Sequence, residues 1–255
     1  MIAAILASTL LQAPTMETWT LTVGETKRTA QVYKPTKKTE GAPPLVLAFP
    51  PPLVLAFHGH GGNGRNAARS FNLHEAMPEA VVIYPDGLAT RTQRDPQGNR
   101  PGWSYLEGPG SNKDFAFVDA LITKAGTEFK TVPSRTFAMG HSNGGGFCYA
   151  LWRFRPDAFA GFAPTAAKGS RYAGPVKPFY IVASRNDTIV PYAEQEASFK
   201  DMIARMKMEE KGTKGRITQY ANPDGVRMEI YIDGGTHAFA KDSVPGMVAF
   251  FRSLL

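Results

Sequence analysis

Three features of the sequence predict an α/β fold: a mostly parallel central sheet, an antiparallel N-terminal hairpin and helices on both faces. Short, continuously apolar runs such as PLVLAF, AVVIYP and KPFYIVAS have the length and composition of strands buried on both faces. Longer segments with apolar residues at helical spacing lie between them, so strand and helix alternate along the chain. The first two strand segments instead alternate apolar and polar residues and are joined by Gly24 and Glu25, as in a hairpin.

The elements follow in order. Residues 18–23 and 28–33 are the hairpin strands, and 34–44 form a polar, proline-containing connector. The heptamer PPLVLAF then occurs twice, at 43–49 and 51–57. Only the second copy runs directly into HGHGG. The PPP between the copies lacks three backbone donors, so one continuous strand is blocked. The second copy is therefore the core strand, and 43–50 read as a duplicated insertion, natural or introduced. A helix is predicted over 66–77, then the strand AVVIYP closed by the turn at Asp86 and Gly87. Residues 88–111 are rich in Gly, Pro, Arg, Gln and Asn, a long loop of the kind that usually carries function. Further predicted elements are a helix at 112–129, a strand at 135–139, a helix at 143–153, the strands AGFAPTAA and KPFYIVAS and a helix at 193–211. A strand pair at 217–220 and 226–232, with the turn ANPDG between, precedes a terminal helix at 244–254.

A chain of 255 residues with 43% hydrophobic and 20% charged residues suffices for a single domain, predicted to occupy 16–255. The net charge of +7 is concentrated at 27–38 and 200–216 and reads as a solvated basic surface. No zinc-finger spacing, RNA-binding signature or basic-aromatic stripe accompanies it, so no nucleic-acid partner is expected. The single cysteine, Cys148, lies in an apolar helical stretch, which makes it a buried thiol and rules out an intramolecular disulfide. The N-terminal MIAAILASTLLQAPT suits the apolar core of a signal peptide and is too short to span a membrane. Residues 1–15 thus read as a signal peptide or an N-terminal tail. A secreted or periplasmic location is expected, with no membrane partner.

Chemistry in such sheets collects at the carboxyl ends of the strands. After the strand RTFAM stands Gly140-His141-Ser142-Asn143-Gly144, a G-x-S-x-G motif between a strand and a helix. That context suits a serine nucleophile on a sharp turn, with glycines admitting the close approach of strand and helix. A serine needs a base, and the base needs an orienting acid, in the chain order Ser, Asp or Glu, His. Asp187 follows the strand KPFYIVAS, and His237 follows VRMEIYID on a glycine-rich loop. His237 is the only histidine downstream of Ser142. Asp233 is the rival acid, ranked lower because it ends the histidine's own strand. His74 reads as structural. Acyl transfer also needs two backbone N–H donors for the oxyanion. One comes from the residue after the nucleophile, Asn143. The other comes from the HGHGG loop, with His60 preferred and Gly61 the alternative; His58 reads as a residue that pins that loop. His141, beside the nucleophile, is a candidate pocket residue.

Taken in order, PLVLAFHGHGGN, VVIYPDG, Trp103, DFAFVDALI, GHSNGG, D-x-x-V-P-Y at 187–192 and GGTH resemble one branch of the α/β-hydrolases. That branch contains secreted poly(3-hydroxybutyrate) depolymerases and feruloyl or acetyl-xylan esterases. The resemblance covers residues 51–255. It implies a triad of Ser142, Asp187 and His237, with Trp103 near the acyl pocket; Trp103 as an anchor of its loop is the competing reading. Two departures stand out. Phe239 occupies the position two beyond the histidine where the group often has Trp, and many relatives carry disulfides. The expected activity is serine carboxylester hydrolysis without a cofactor, on a small-molecule or polymeric ester. The alternatives are a serine peptidase of prolyl-oligopeptidase type and a hydrolase-fold binding protein without catalysis.

Overall fold

The computed structural model describes residues 15–35, 49–105, 113–169 and 172–255. Its strands are β1 (Met16–Val23), β2 (Thr26–Tyr33), β3 (Leu53–Phe57), β4 (Val81–Pro85), β5 (Leu88–Ala89), β6 (Pro101–Gly102), β7 (Thr136–His141), β8 (Gly161–Thr165), β9 (Phe179–Ser184), β10 (Glu209–Lys214), β11 (Ile217–Ala221) and β12 (Arg227–Asp233). Its helices are α1 (Gly64–Phe71), α2 (Leu73–Ala76), α3 (Lys113–Phe129), α4 (Asn143–Phe154), α5 (Tyr192–Arg205) and α6 (Val244–Arg252). Ten strands form one sheet in the order β1-β2-β4-β3-β7-β8-β9-β12-β11-β10. The run from β4 to β12 is parallel throughout, and the outer pairs on both sides are antiparallel.

The continuous apolar runs are explained by the two faces. Along β3, Leu53, Leu55 and Phe57 enter a core shared with α3, α4 and α5, while Val54 and Ala56 enter the opposite core with α1, α2 and α6. Every β3 residue is buried, so neither face can be polar. The second copy of the duplicated heptamer is this strand. Of the first copy only Phe49 belongs to the described residues, and it is 75% exposed.

Three predicted elements differ in detail. The helix expected over 66–77 begins at Gly64, where the Asn63 side chain accepts the Asn66 N–H at 2.8 Å. It breaks at Asn72, whose φ of 50° is left-handed, a conformation asparagine tolerates. The helix expected to reach residue 211 stops at Arg205. Lys207 turns left-handed, and EEKGTK becomes the exposed edge strand β10, with a register shift at Gly212. Its charges suit an edge that must not recruit another strand. Within 88–105, β5 and β6 pair as a short ribbon, so this part of the predicted loop is locally folded.

The basic surface expected at 27–38 also needs one correction, because Arg28 is 2% exposed. Its guanidinium donates to Asp114 Oδ1 at 2.8 Å, to the Asp86 carbonyl and to the Lys113 carbonyl, and lies 4.3 Å from the Phe117 ring centre. Asp114 Oδ2 accepts the Ser104 N–H at 2.8 Å, so this ion pair fastens the start of α3 and the Ser104 backbone to β2.

Three outcomes are expected. Asp114→Ala leaves a buried cation without its counter-charge and should cost about 3–5 kcal/mol in denaturant unfolding. Arg28→Met combined with Asp114→Leu should cost less than that single change. Deleting residues 43–50 should leave the thermal midpoint within about 2 °C of the full chain. A failure of the deleted protein to fold would show that the first copy belongs to the fold.

Candidate active site

Because β3, β7, β9 and β12 are parallel, their carboxyl ends open on the same edge of the sheet, and the candidate residues all leave from that edge. The turn from β7 into α4 is the tightest feature there. A side chain at Gly140 would meet the Gly144 carbonyl oxygen at 2.4 Å, and one at Gly144 would meet the Phe57 carbonyl oxygen at 2.2 Å. Only glycine permits α4 to start this close to β3. Ser142, at the apex, has φ 56° and ψ −117°, a strained conformation for a residue with a side chain. Its N–H is held by the Thr165 carbonyl at 2.9 Å.

The three residues expected in sequence order meet at this apex. His237 Nε2 lies 2.7 Å from Ser142 Oγ, and His237 Nδ1 lies 2.8 Å from Asp187 Oδ2. Asp187 is buried, and its carboxylate is surrounded by donors. Oδ1 accepts the N–H groups of Ile189 and Val190 at 2.8 and 2.9 Å, and Oδ2 also accepts Gln195 Nε2 at 3.0 Å. An acceptor-only group at Nδ1 fixes the imidazole tautomer, with the proton on Nδ1 and the lone pair of Nε2 facing the serine. The acid and histidine loops are zipped together by Arg185 N–H to Asp233 O, Asn186 N–H to Gly235 O and Asn186 Nδ2 to Gly234 O. The rival acid, Asp233, spends its carboxylate on the Gly235 N–H and on Arg216.

The HGHGG loop leaves β3 beside the elbow. His58 Nε2 accepts the Gly87 N–H at 2.9 Å, which leaves Nδ1–H to donate to the Gly59 carbonyl at 2.7 Å. Burial holds the ring below the usual histidine range, so this pin stays neutral. Gly61 N–H is engaged with the Pro101 carbonyl at 2.7 Å. His60 Nε2 meets Asp95 Oδ2 at 3.0 Å, joining this loop to the segment between β5 and β6.

Trp103 is a buried anchor whose edge reaches the cleft. It is 1% exposed, donates Nε1–H to the His58 carbonyl at 2.9 Å and stacks on Phe147. Asn143 holds the same loop through its side chain: Oδ1 accepts the Trp103 N–H at 2.7 Å, and Nδ2 donates to Tyr105 Oη at 2.7 Å. Ser142, His237, Asn143 and His60 line one open cleft of about 1420 Å³.

His141 stands beside the histidine loop, its ring 5.1 Å from that of His237 and its Nδ1 3.0 Å from Thr165 Oγ1, and it borders a smaller hollow with His58, His60 and Phe71 rather than the cleft that Ser142 lines. Phe239, in the position where relatives often have Trp, packs on Phe71 and against the His141 ring. Two supporting residues escape motif reading. Gln195 bridges Asp187 and the Val190 carbonyl, and Tyr105 joins Asn143 to its loop. Gln195 had a signal: with Ser198, Phe199 and Met202 it falls on the buried stripe of α5, where a polar side chain needs a partner.

Burial, with His237 close by, pushes His141 down to about 4. A histidine that is harder to protonate when folded makes the unfolded chain bind more protons between that value and its ordinary one near 6.5. Stability from this group is therefore complete above about pH 6.5 and is lost as pH falls toward 4, by up to about 3 kcal/mol. His141→Gln should flatten the dependence of unfolding free energy on pH across that window. An unchanged slope would remove His141 as its source.

No protein-family model matches the chain. A protein named "Probable feruloyl esterase C" from Aspergillus clavatus is 33% identical over 112 residues, which is 42% of this chain and 36% of that relative. The chain thus matches little more than a third of this curated relative's length. Among solved structures, a ferulic acid esterase superposes with a TM-score of 0.68 at 12% identity, covering 95% of this chain and 98% of the other. An acetyl xylan esterase from Aspergillus awamori gives 0.66 at 14% identity, covering 92% and 99%. At these identities the structural likeness is one of fold. The parallel sheet, the strand–turn–helix elbow at Ser142 and these likenesses show that the chain has the α/β-hydrolase fold.

Proposed function

We propose that the protein is a serine carboxylesterase, with Ser142 as nucleophile, His237 as base and Asp187 as the acid that orients it. The reading is carried by one observation, the unbroken hydrogen-bonded row from Ser142 Oγ through His237 to Asp187 at 2.7 and 2.8 Å. Ser142 Oγ attacks the ester carbonyl carbon while His237 Nε2 takes its proton. The resulting imidazolium is stabilised by the Asp187 carboxylate. The tetrahedral oxyanion accepts the N–H groups of Asn143 and His60, and the dipole at the N-terminus of α4 adds to this stabilisation. Gly61 is the weaker candidate because its N–H is engaged with Pro101.

Collapse of the intermediate expels the alcohol, which takes the proton from His237. Water, deprotonated by the same imidazole, then releases the acid and regenerates Ser142. The names of the relatives direct attention to feruloyl and acetylated-polysaccharide esters, with hydroxyalkanoate polyester a third class on the sequence resemblance. An open cleft suits an ester carried on a polymer, and export, from the apolar N-terminal segment, would bring the enzyme to it.

Initial rates on methyl ferulate, p-nitrophenyl acetate, p-nitrophenyl butyrate and a proline anilide test the reading. Ester turnover is expected, the anilide should stay intact, and Ser142→Ala should lower kcat by about 10³-fold or more with unchanged folding. Ester turnover that survives in Ser142→Ala would remove the proposed nucleophile.

A further inference from the structure

The cleft beside Ser142 has a charged wall that the chemistry above does not use. Arg91, Arg94 and Arg100 all line it, all come from the segment between β5 and β6, and all are exposed. Among the described residues none of the three has an ion-pair partner. Arg94 donates to the Ile189 carbonyl, on the loop that follows Asp187, so it reaches across to the acid side of the site. Arg100 lies over the oxyanion loop: a side chain at Gly61 would meet its Cδ at 3.4 Å.

The carboxylates in the cleft are already committed. Asp95 Oδ1 accepts the N–H groups of Gly98 and Asn99, and Oδ2 accepts the Arg100 N–H and faces His60 Nε2. Glu194 is paired with Lys168. Counting Lys168 with the three arginines, the described lining carries four cations and two carboxylates, an excess of two positive charges.

Guanidinium groups are planar donor forks that match a carboxylate, and unpaired ones at a cleft mouth attract anions from solution. We propose that this cleft selects esters bearing a negative charge near the scissile bond, with Arg91, Arg94 and Arg100 as the residues that recognise it. The substrate class is then the monoester of a dicarboxylic acid or the acyl ester of a carboxylate-bearing alcohol such as a uronic acid. The inference rests on the esterase reading and narrows its substrate.

Two matched pairs test it and separate the two sources of charge. Mono-p-nitrophenyl adipate against p-nitrophenyl hexanoate puts the charge on the acyl side; 4-acetoxybenzoate against phenyl acetate puts it on the leaving side. In one of the pairs the charged member should be favoured in kcat/KM by about tenfold at low ionic strength. That preference should shrink several-fold at about 0.5 M salt, where screening shortens the reach of surface charges to a few ångströms. The combined variant Arg91→Gln, Arg94→Gln, Arg100→Gln should bring the ratio to within about twofold of one.

Hydrolysis of the neutral esters with no salt-sensitive preference in either pair would overturn this inference and leave the esterase reading intact. A preference that persists in the triple variant would also overturn the assignment to these arginines. A folded protein that turns over no ester, or whose turnover survives Ser142→Ala, would overturn the esterase reading and this inference with it.

Discussion

The site depends on how closely the start of α4 approaches the end of β3. The Phe57 carbonyl oxygen lies 2.2 Å from where a side chain on Gly144 would begin. That contact forces the chain to turn within one residue, and the residue that absorbs the turn is Ser142, at φ 56°. Backbone strain of this kind costs about 1–3 kcal/mol and persists only where the surroundings over-determine it. Here the surroundings are a strand buried on both faces and a helix whose residues from Asn143 to Trp152 are all buried. The core thus sets the position of Oγ, and the same approach brings the His58 loop alongside the first N–H of the helix.

The remaining geometry is built by loops holding one another. Three hydrogen bonds tie the acid loop to the histidine loop, so Asp187 and His237 are positioned as one unit. Four donors fix the Asp187 carboxylate, two of them side chains, and a carboxylate oriented in this way fixes the ring that donates to it. Asn143 serves the site twice. Its backbone begins α4 beside Ser142, while its side chain fastens the Trp103 segment to the elbow. Because these are backbone and amide contacts rather than exposed ion pairs, salt screens them little.

Legibility followed the range of the interactions. The core strands could be read because burial on both faces demands continuous apolar runs, and this also decided which copy of PPLVLAF forms β3. The elbow could be read because steric exclusion at two glycines leaves a fixed spelling. The candidate acid and histidine could be read because loops at strand ends are short and ordered. The Arg28–Asp114 pair could not, since its partners are 86 residues apart and each looks like ordinary surface charge. The strand β10 was hidden because an edge strand has no buried face to impose a period, so its charges matched a helix tail equally well. His141 could be placed beside the nucleophile but not on one side of it. Adjacency to Ser142 in sequence does not fix the direction of a side chain on a turn this sharp, and the ring stands beside the histidine loop.

Asp95 joins what would otherwise be separate functions. Its carboxylate closes the turn at Gly98 to Arg100 and receives His60 from the HGHGG loop. The β5–β6 segment is bound to that loop a second time through Gly61 N–H and the Pro101 carbonyl. The wall that carries Arg91, Arg94 and Arg100 and the loop that carries the His60 N–H are therefore tied at two points. A displacement of the wall by a bound anion would reach the proposed oxyanion donor through these two hydrogen bonds. Donors of this kind lose their effect when they drift from where the charge develops. On the proposed roles, recognition of the substrate and stabilisation of its transition state are linked through Asp95, and substitutions on the wall should alter kcat as well as KM.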